Sequence, residues 1–420
     1  MSPQDVLSQP FTLRCGAVIR NRLFKSAMSE ALGTRERAPT PALERLYGVW
    51  ADSGVGVCMT GNVMIDRRAL GEPGNVVIED ERDFAALQAW ARAATRNGTH
   101  CWVQLNHPGK QSPKGLNKET IAPSAVPFRA EMQMLFATPR EMTDAEVREM
   151  IARFGRAAGI VKRAGFTGVQ IHGAHGYLVS QFLSPHHNRR TDEWGGTPEK
   201  RRRFVLEVYA AIRREVGPDF PVGIKLNSAD FQRGGFTEEE SLDTIRALSD
   251  AGIDLIEISG GTYEAPAMTG VRQKAEPVKE STRLRESYFL AFAEKARHAV
   301  RTPLVVTGGF RTAQGMAQAI ESGAVDFVGI ARCMAVEPDV CKRLLQGQDP
   351  LHTVRPIKTG LPFIDKTGML EVTWYTGQLK RIGQGEAPKP NESGLWVFLR
   401  TVAKQMGVGR SKAPKRLRAT

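Results

Sequence analysis

The stretch Gly168-Val-Gln-Ile-His-Gly-Ala-His-Gly-Tyr177 places two imidazoles and a phenol within six positions. Val169 and Ile171 read as a short buried strand, entered from a helix through a turn at Gly165, and the titratable residues begin where the apolar run stops. Proteins built of alternating strands and helices hold their ligands at the carboxyl ends of buried strands. His172 and His175 can each offer an N–H donor to one small anionic oxygen, and Tyr177 adds a phenol, of ordinary pKa about 10, that can supply a proton. Such a set suits a reaction that builds negative charge on a carbonyl oxygen and protonates a neighbouring carbon. His-x-x-His is also half of a metal site, but no Glu follows the first His and no nearby Cys or carboxylate completes a ligand set, so no metal is expected. One histidine alone would be read as a satisfied structural residue; two with a tyrosine at a strand end point to function.

A second group lies further along. Leu304–Val306 reads as a strand ending in Gly308-Gly309, and Phe327–Ile330 as one ending in Ala331-Arg332. Glycines let backbone N–H groups approach an anion closely, and arginine pairs with phosphate as a fork. In barrels the loops after the seventh and eighth strands commonly hold phosphate. Lys225 sits inside the apolar run Val222–Leu226, with Asn227 after it. A lysine there is costly unless it meets an anion or has a shifted pKa. Two roles stay open for it: stabilising negative charge on a cofactor ring, or forming a Schiff base with a carbonyl substrate. Gln104, at the end of another apolar run, can both donate to and accept from the edge of a heterocycle.

The elements that must position these residues repeat as strand then amphipathic helix. Strands are expected near 23, 55, 101, 168, 222, 255, 304 and 327, the first over Leu23–Met28 and the second over Val55–Gly61. Helices are expected at Pro41–Ser53 and Asp80–Asn97, after the Thr143-Asp-Ala-Glu146 capping box, after Thr197-Pro198, after Thr237, up to about Val300, and near Thr312. Eight such units predict a (β/α)8 barrel over residues 1–345. The competing open doubly wound sheet lacks its fingerprint, because Gly54-Val-Gly56 has no third glycine and lies inside a strand-like run. The segment 106–140 reads as a long functional loop, and after the strand end Ser259-Gly-Gly-Thr262 a polar loop runs to Arg283. Residues 346–420 read as a helical C-terminal extension. In it Leu395, Phe398/Leu399, Val402 and Met406 form a helical stripe expected to pack on the barrel or on a second subunit, a membrane-surface helix being the lesser alternative.

Composition sets the outer bounds. The 420 residues are 41% hydrophobic and 25% charged with mean hydropathy −0.30, an ordinary globular balance with no run suited to a membrane span. The start, Met-Ser-Pro-Gln-Asp, lacks a signal-peptide pattern, which makes the cytoplasm the expected location. Five scattered cysteines, never spaced as Cys-x-x-Cys, read as free thiols and argue against an iron–sulfur cluster. Part of the net charge of +13 lies in the last twenty residues, where Lys404, Arg410, Lys412, Lys415, Arg416 and Arg418 meet no acid. That tail reads as a solvated end, and no nucleic-acid motif accompanies it.

Taken together the segments resemble the old yellow enzyme family of FMN-dependent ene-reductases, which are (β/α)8 barrels. The likeness runs from about Phe11 to Val340. Its most specific piece is Ile171-His-Gly-Ala-His-Gly-Tyr-Leu, followed by Gln181-Phe-Leu-Ser-Pro and Asn188-Arg-Arg-Thr-Asp-Glu-Trp-Gly-Gly. Asn21-Arg-Leu-Phe-Lys-Ser-Ala-Met is similar to the family's first-strand flavin segment. The resemblance implies FMN as cofactor, NADH or NADPH as reductant, and hydride passing through FMN to the activated C=C of a small α,β-unsaturated carbonyl compound. It implies that His172 and His175 hold the substrate carbonyl oxygen and that Tyr177 protonates the adjacent carbon. Ser26, Ala27, Met28, Gly61 and Gln104 would line the isoalloxazine, Lys225 would lie near its N1/C2=O edge, and Gly308, Gly309, Ala331 and Arg332 would bind the phosphate. Ser29 stands where many relatives have Cys or Thr and would still hydrogen-bond the flavin C4 carbonyl. Lys225 stands where Arg is common, and Ala31 where some relatives carry an aromatic. A dehydrogenase or demethylase of the same family shares these groups, and a Schiff-base aldolase using Lys225 is the reading from another class. The oligomeric state is left open.

Overall fold

Strand pairing closes on itself. In the structure, a computed structural model, residues 1–262, 289–352, 354, 356–360, 365 and 369–405 are described. Eight parallel strands run β1 (Leu23–Lys25), β2 (Val57–Met64), β3 (His100–Asn106), β4 (Gly168–Gly173), β5 (Val222–Asn227), β6 (Leu255–Ser259), β7 (Leu304–Thr307) and β8 (Phe327–Ile330). Each pairs with its sequence neighbour, and β8 returns to β1 with Val328 opposite Leu23 and Ile330 opposite Lys25. The (β/α)8 barrel is therefore formed, and its strands fall at the eight expected places.

The longer helices between them are α1 (Pro41–Asp52), α2 (Phe84–Ala94), α3 (Asp144–Ala164), α4 (Pro198–Val216), α5 (Glu238–Ala251), α6 (Leu290–Ala299) and α7 (Ala313–Glu321). Threonine opens five of them: Thr40, Thr143, Thr197, Thr237 and Thr312 each accept a backbone N–H of the first turn. Such a cap is worth about 1 kcal/mol and fixes where the chain leaves each loop. The helix expected from Asp80 starts only at Phe84, because the Asp80 carboxylate accepts from the Arg82 backbone and side chain and holds a turn there instead. β1 is shorter and β2 longer than their apolar runs indicate.

Side chains alternate inward and outward along each strand. Outward residues such as Val103, Ile171, Ile224, Ile256, Val306 and Val328 join the helices in one large core. Inward, Phe24, Val57, Met59, Trp102, Leu255, Val305 and Phe327 form an apolar floor, closed below by Leu13 and Ile19 of an N-terminal hairpin. Trp102 needs its neighbours to be glycine: a Cβ on Gly168 would stand 2.6 Å from the indole, and one on Gly223 3.0 Å. One inward step above this floor the residues turn polar, and there the site begins.

Beyond the barrel, α8 (Met369–Gly383) packs on α1 and buries Trp374, Tyr375 and Leu379, and α9 (Gly394–Gln405) packs on α8. The face of α9 differs from the expected stripe. Val397 is buried while Leu395 and Leu399 are exposed, because the helix meets its neighbour on the Gly394/Val397 side. The Val402 side chain, Met406, the loop from 263 to 283 and the basic residues from Arg410 onward lie outside the described residues.

Candidate active site

Six inward side chains make a polar layer on the floor. Gln104 Nε2 donates to Gln170 Oε1 at 2.7 Å, and Gln170 Nε2 donates to Glu257 Oε2 at 2.8 Å. Glu257 Oε1 lies 3.1 Å from Lys225 Nζ and accepts from Thr307 Oγ1 at 2.7 Å. Thr307 Oγ1 also meets Ser26 Oγ at 2.6 Å. Strand register explains the set: Gln104 stands opposite Gln170 and Lys225 opposite Glu257. The anion that Lys225 requires is thus Glu257, fully buried on β6, which sequence reasoning missed. Gly329 keeps the layer open, since a Cβ there would sit 2.0 Å from Thr307 Oγ1.

Above the layer, at the carboxyl ends of the strands, the two imidazoles and the phenol meet. The His172 ring centroid is 5.2 Å from that of His175 and 4.7 Å from that of Tyr177. His172 lies on β4 itself, and its Nδ1 accepts from the Ala174 N–H at 3.3 Å, which leaves the proton of the neutral ring on Nε2 as a donor. His175 takes a left-handed backbone, φ 60°, that a non-glycine residue holds only under constraint. The constraint is local: its N–H donates to Asn227 Oδ1 at 3.1 Å, its carbonyl accepts from Gln111 Nε2 at 3.0 Å, and its Nε2 lies 2.7 Å from Ser259 Oγ. Tyr177 is buried, and its Oη accepts from Asn62 Nδ2 at 3.2 Å.

Burial drives both imidazoles below the ordinary histidine value: His172 well below, with the His175 ring and then Lys225 adding to it, and His175 to about 3, with Lys225 adding to it. Two further buried rings follow, His107 at about 4 and His187 well below the ordinary value, both chiefly through desolvation. The native protein therefore binds fewer protons than the unfolded chain from pH 6.5 downward, so stability falls with falling pH. At pH 5 the gap is about 2 kcal/mol for His107 and for His175 alike. Glu72, raised to about 7 by burial and by Glu30, and Asp230, raised by burial, act with opposite sign, while His100, lowered by burial, acts with the four rings. The melting temperature should drop by several degrees between pH 7 and pH 5, with a shallower drop in His107→Gln. A flat profile by scanning fluorimetry contradicts the buried, uncharged state of these rings.

The remaining expected residues divide between two ends of the mouth. Ala27 and Met28 follow β1 and pack against the apolar clusters. Ser29 Oγ donates to Glu72, which also accepts from Asn75 Nδ2 at 3.2 Å. Gly61 donates its N–H to Glu30 Oε1 at 2.8 Å, and any Cβ there would run into Glu30 and the Met28 carbonyl. At the other end Gly308 and Gly309 take φ 98° and 93°, and a Cβ on Gly308 would meet no atom within 4 Å. Arg332, half-buried beside Ala331, pairs through Nη1 with Glu371 of α8 at 3.2 Å. Asn62, Glu72 and Glu371 sit outside any recognisable sequence pattern, whereas Glu257 is one charged letter in an apolar run, the same kind of signal as Lys225.

These residues fit a flavin. The barrel offers a flat polar layer of amides, a hydroxyl pair and a lysine over an apolar floor, with open glycine backbone and an arginine at one end. Asn106, on the same face of β3 as Gln104, is 1% exposed, and neither polar atom of its amide has a hydrogen-bond partner among the described residues. A buried amide in that state points to a polar ligand at the mouth.

The family model of the NADH:flavin oxidoreductase / NADH oxidase family matches residues 6–350, and the chain belongs to that family. It is a nicotinamide-dependent flavin oxidoreductase with FMN as cofactor. A NADH-dependent flavin oxidoreductase of Talaromyces variabilis is 35% identical over 90% of this chain and 98% of that protein. One of Neonectria sp. (strain DH2) is 40% identical over 79% of this chain, which spans only 46% of that longer protein. Among solved structures, the old yellow enzyme homologue from Zymomonas mobilis aligns with TM-score 0.70 at 22% identity, covering 84% of this chain and 94% of that one. The Schiff-base aldolase alternative ends with the family assignment. Among the described residues no helix is long and apolar enough to cross a membrane, and no group of three or more candidate ligands could hold a metal ion.

Proposed function

We propose that the chain reduces the activated C=C of small α,β-unsaturated carbonyl compounds at the expense of NADH or NADPH. The reading is carried by the meeting of His172, His175 and Tyr177 at the barrel mouth, with ring centroids 4.7 and 5.2 Å apart around His172. Bound FMN supplies the hydride relay between the two substrates. The rest is the work of the chain. His172 Nε2 and His175 polarise the carbonyl oxygen as uncharged donors, and Tyr177 Oη hands a proton to the carbon beside that carbonyl. Asn62, donating to the same Oη, stabilises the phenolate left behind. Gln104, Lys225, Ser26, Ala27, Met28, Ser29 and Gly61 line the ring, and Gly308, Gly309, Ala331 and Arg332 hold the phosphate. In this reading a catalytic barrel over 1–345 carries an extension over 346–420. The protein works in the cytoplasm, in keeping with its free cysteines.

The test is a spectrum of the purified protein, an anaerobic NADH and NADPH titration, and a panel of enones offered to the reduced enzyme. Reoxidation by enones well beyond the buffer control supports the reading. Bleaching by nicotinamide with no enone reoxidising the protein overturns it. The phosphate end has its own check. A charge-assisted contact of about 1.5–3 kcal/mol corresponds to roughly 10- to 150-fold in affinity. Arg332→Ala should weaken FMN binding by that factor in a fluorescence-quenching titration while leaving riboflavin, which has no phosphate, unchanged. Equal loss for both ligands would place Arg332 elsewhere in the site.

A further inference from the structure

We infer that Glu257 sets the redox poise of the bound flavin by cancelling the charge of Lys225, so that the barrel presents an ion pair rather than an isolated cation to the isoalloxazine. The inference rests on the placement of Lys225 beside the ring proposed above. Both partners are inside the barrel, Lys225 4% and Glu257 0% exposed, and the Nζ–Oε1 distance is 3.1 Å. Water cannot screen either charge there, so what the ring feels is decided by the protein charges themselves. A lone ammonium would favour the reduced cofactor, which carries more negative charge than the oxidised one. A carboxylate 3.1 Å from that ammonium removes most of this preference, because the field of a close pair decays much faster with distance than that of one charge.

The carboxylate is also fixed. Oε1 accepts from Thr307 Oγ1 at 2.7 Å and Oε2 from Gln170 Nε2 at 2.8 Å, and strand register sets Glu257 directly opposite Lys225. Glu257 is held by neighbours on β4, β5 and β7, so the pair has one arrangement. It is a positioning residue for charge and touches no reacting atom in this scheme. A buried ion pair adds little net stability over a well-packed apolar substitute, so stability alone does not account for its presence in the layer under the ring.

The experiment measures the two-electron midpoint potential of FMN bound to the wild-type protein, to Glu257→Gln and to the double variant Lys225→Met/Glu257→Gln. Glu257→Gln leaves the lysine uncancelled and should move the potential to a more positive value. Each tenfold gain in preference for reduced over oxidised FMN reads as about 30 mV. The double variant carries neither charge and should return close to wild type. If Glu257→Gln matches wild type while the double variant is more negative, the lysine acts uncancelled; the inference falls and the placement of Lys225 stands. If all three potentials coincide with FMN bound, Lys225 is not beside the ring, and the placement falls together with the inference. Should Glu257→Gln not retain FMN, Glu257→Asp keeps the buried charge but draws it back from Nζ. A smaller positive shift is then expected, and no shift overturns the inference.

Discussion

Replacing Tyr177 with phenylalanine is expected to slow reoxidation of the reduced enzyme by an enone by roughly 10²–10⁴-fold, the range for a positioned proton donor, and to leave reduction by NADH nearly unchanged. The asymmetry follows from the geometry. The phenol is buried, 4.7 Å ring to ring from His172, and its oxygen receives the Asn62 amide at 3.2 Å. Only proton delivery to the substrate carbon needs that oxygen; taking hydride from nicotinamide does not. The ring stays in Tyr177→Phe, so packing is kept and the loss reports the hydroxyl. Anaerobic stopped-flow of the two half-reactions separates the effects, and an equal loss in both would remove Tyr177 from the proton-donor role.

His172→Ala should cost about 10²–10³-fold in the same enone half-reaction, the usual consequence of removing one donor to a developing oxyanion. Asparagine at this position keeps an N–H and should recover part of the loss. Because burial holds His172 well below the ordinary histidine value and His175 at about 3, both rings are uncharged throughout the working range. The sign of the pH effect follows: protonation begins only far below pH 6.5, so kcat/KM for the enone should stay level from pH 8 to pH 5. A limb with an apparent pKa near 6.5 that disappears in His172→Ala would show the ring to be charged at rest and the donor assignment to be wrong.

The barrel was legible because parallel strands buried on both faces read as short apolar runs, and the helices between them announce themselves with threonine caps and capping boxes. The His172/His175/Tyr177 cluster was legible for a related reason: three titratable letters follow directly on an apolar run. Lys225 stood out as a charge inside such a run. Its partner did not, although Glu257 is equally out of place between Ile256 and Ile258, because only the pairing of β5 with β6 makes the two residues neighbours. Asn62 reaches Tyr177 from within β2, just past a shift of its register, and Glu72 reaches Ser29 from the chain that follows β2; no periodicity encodes either. Glu371 meets Arg332 across 39 positions of chain. Local pattern carried the scaffold and the reactive groups, and the groups that tune them are set by tertiary register.

Helix α8 has a practical consequence for anyone cutting the gene. Glu371 grips Arg332, and Thr376 Oγ1 donates to the Ser29 carbonyl at 2.9 Å, so one helix clasps the chain after β1 and the chain after β8 together. A truncated expression clone ending at 350, where the family match stops, would keep every barrel stave and lose this clasp.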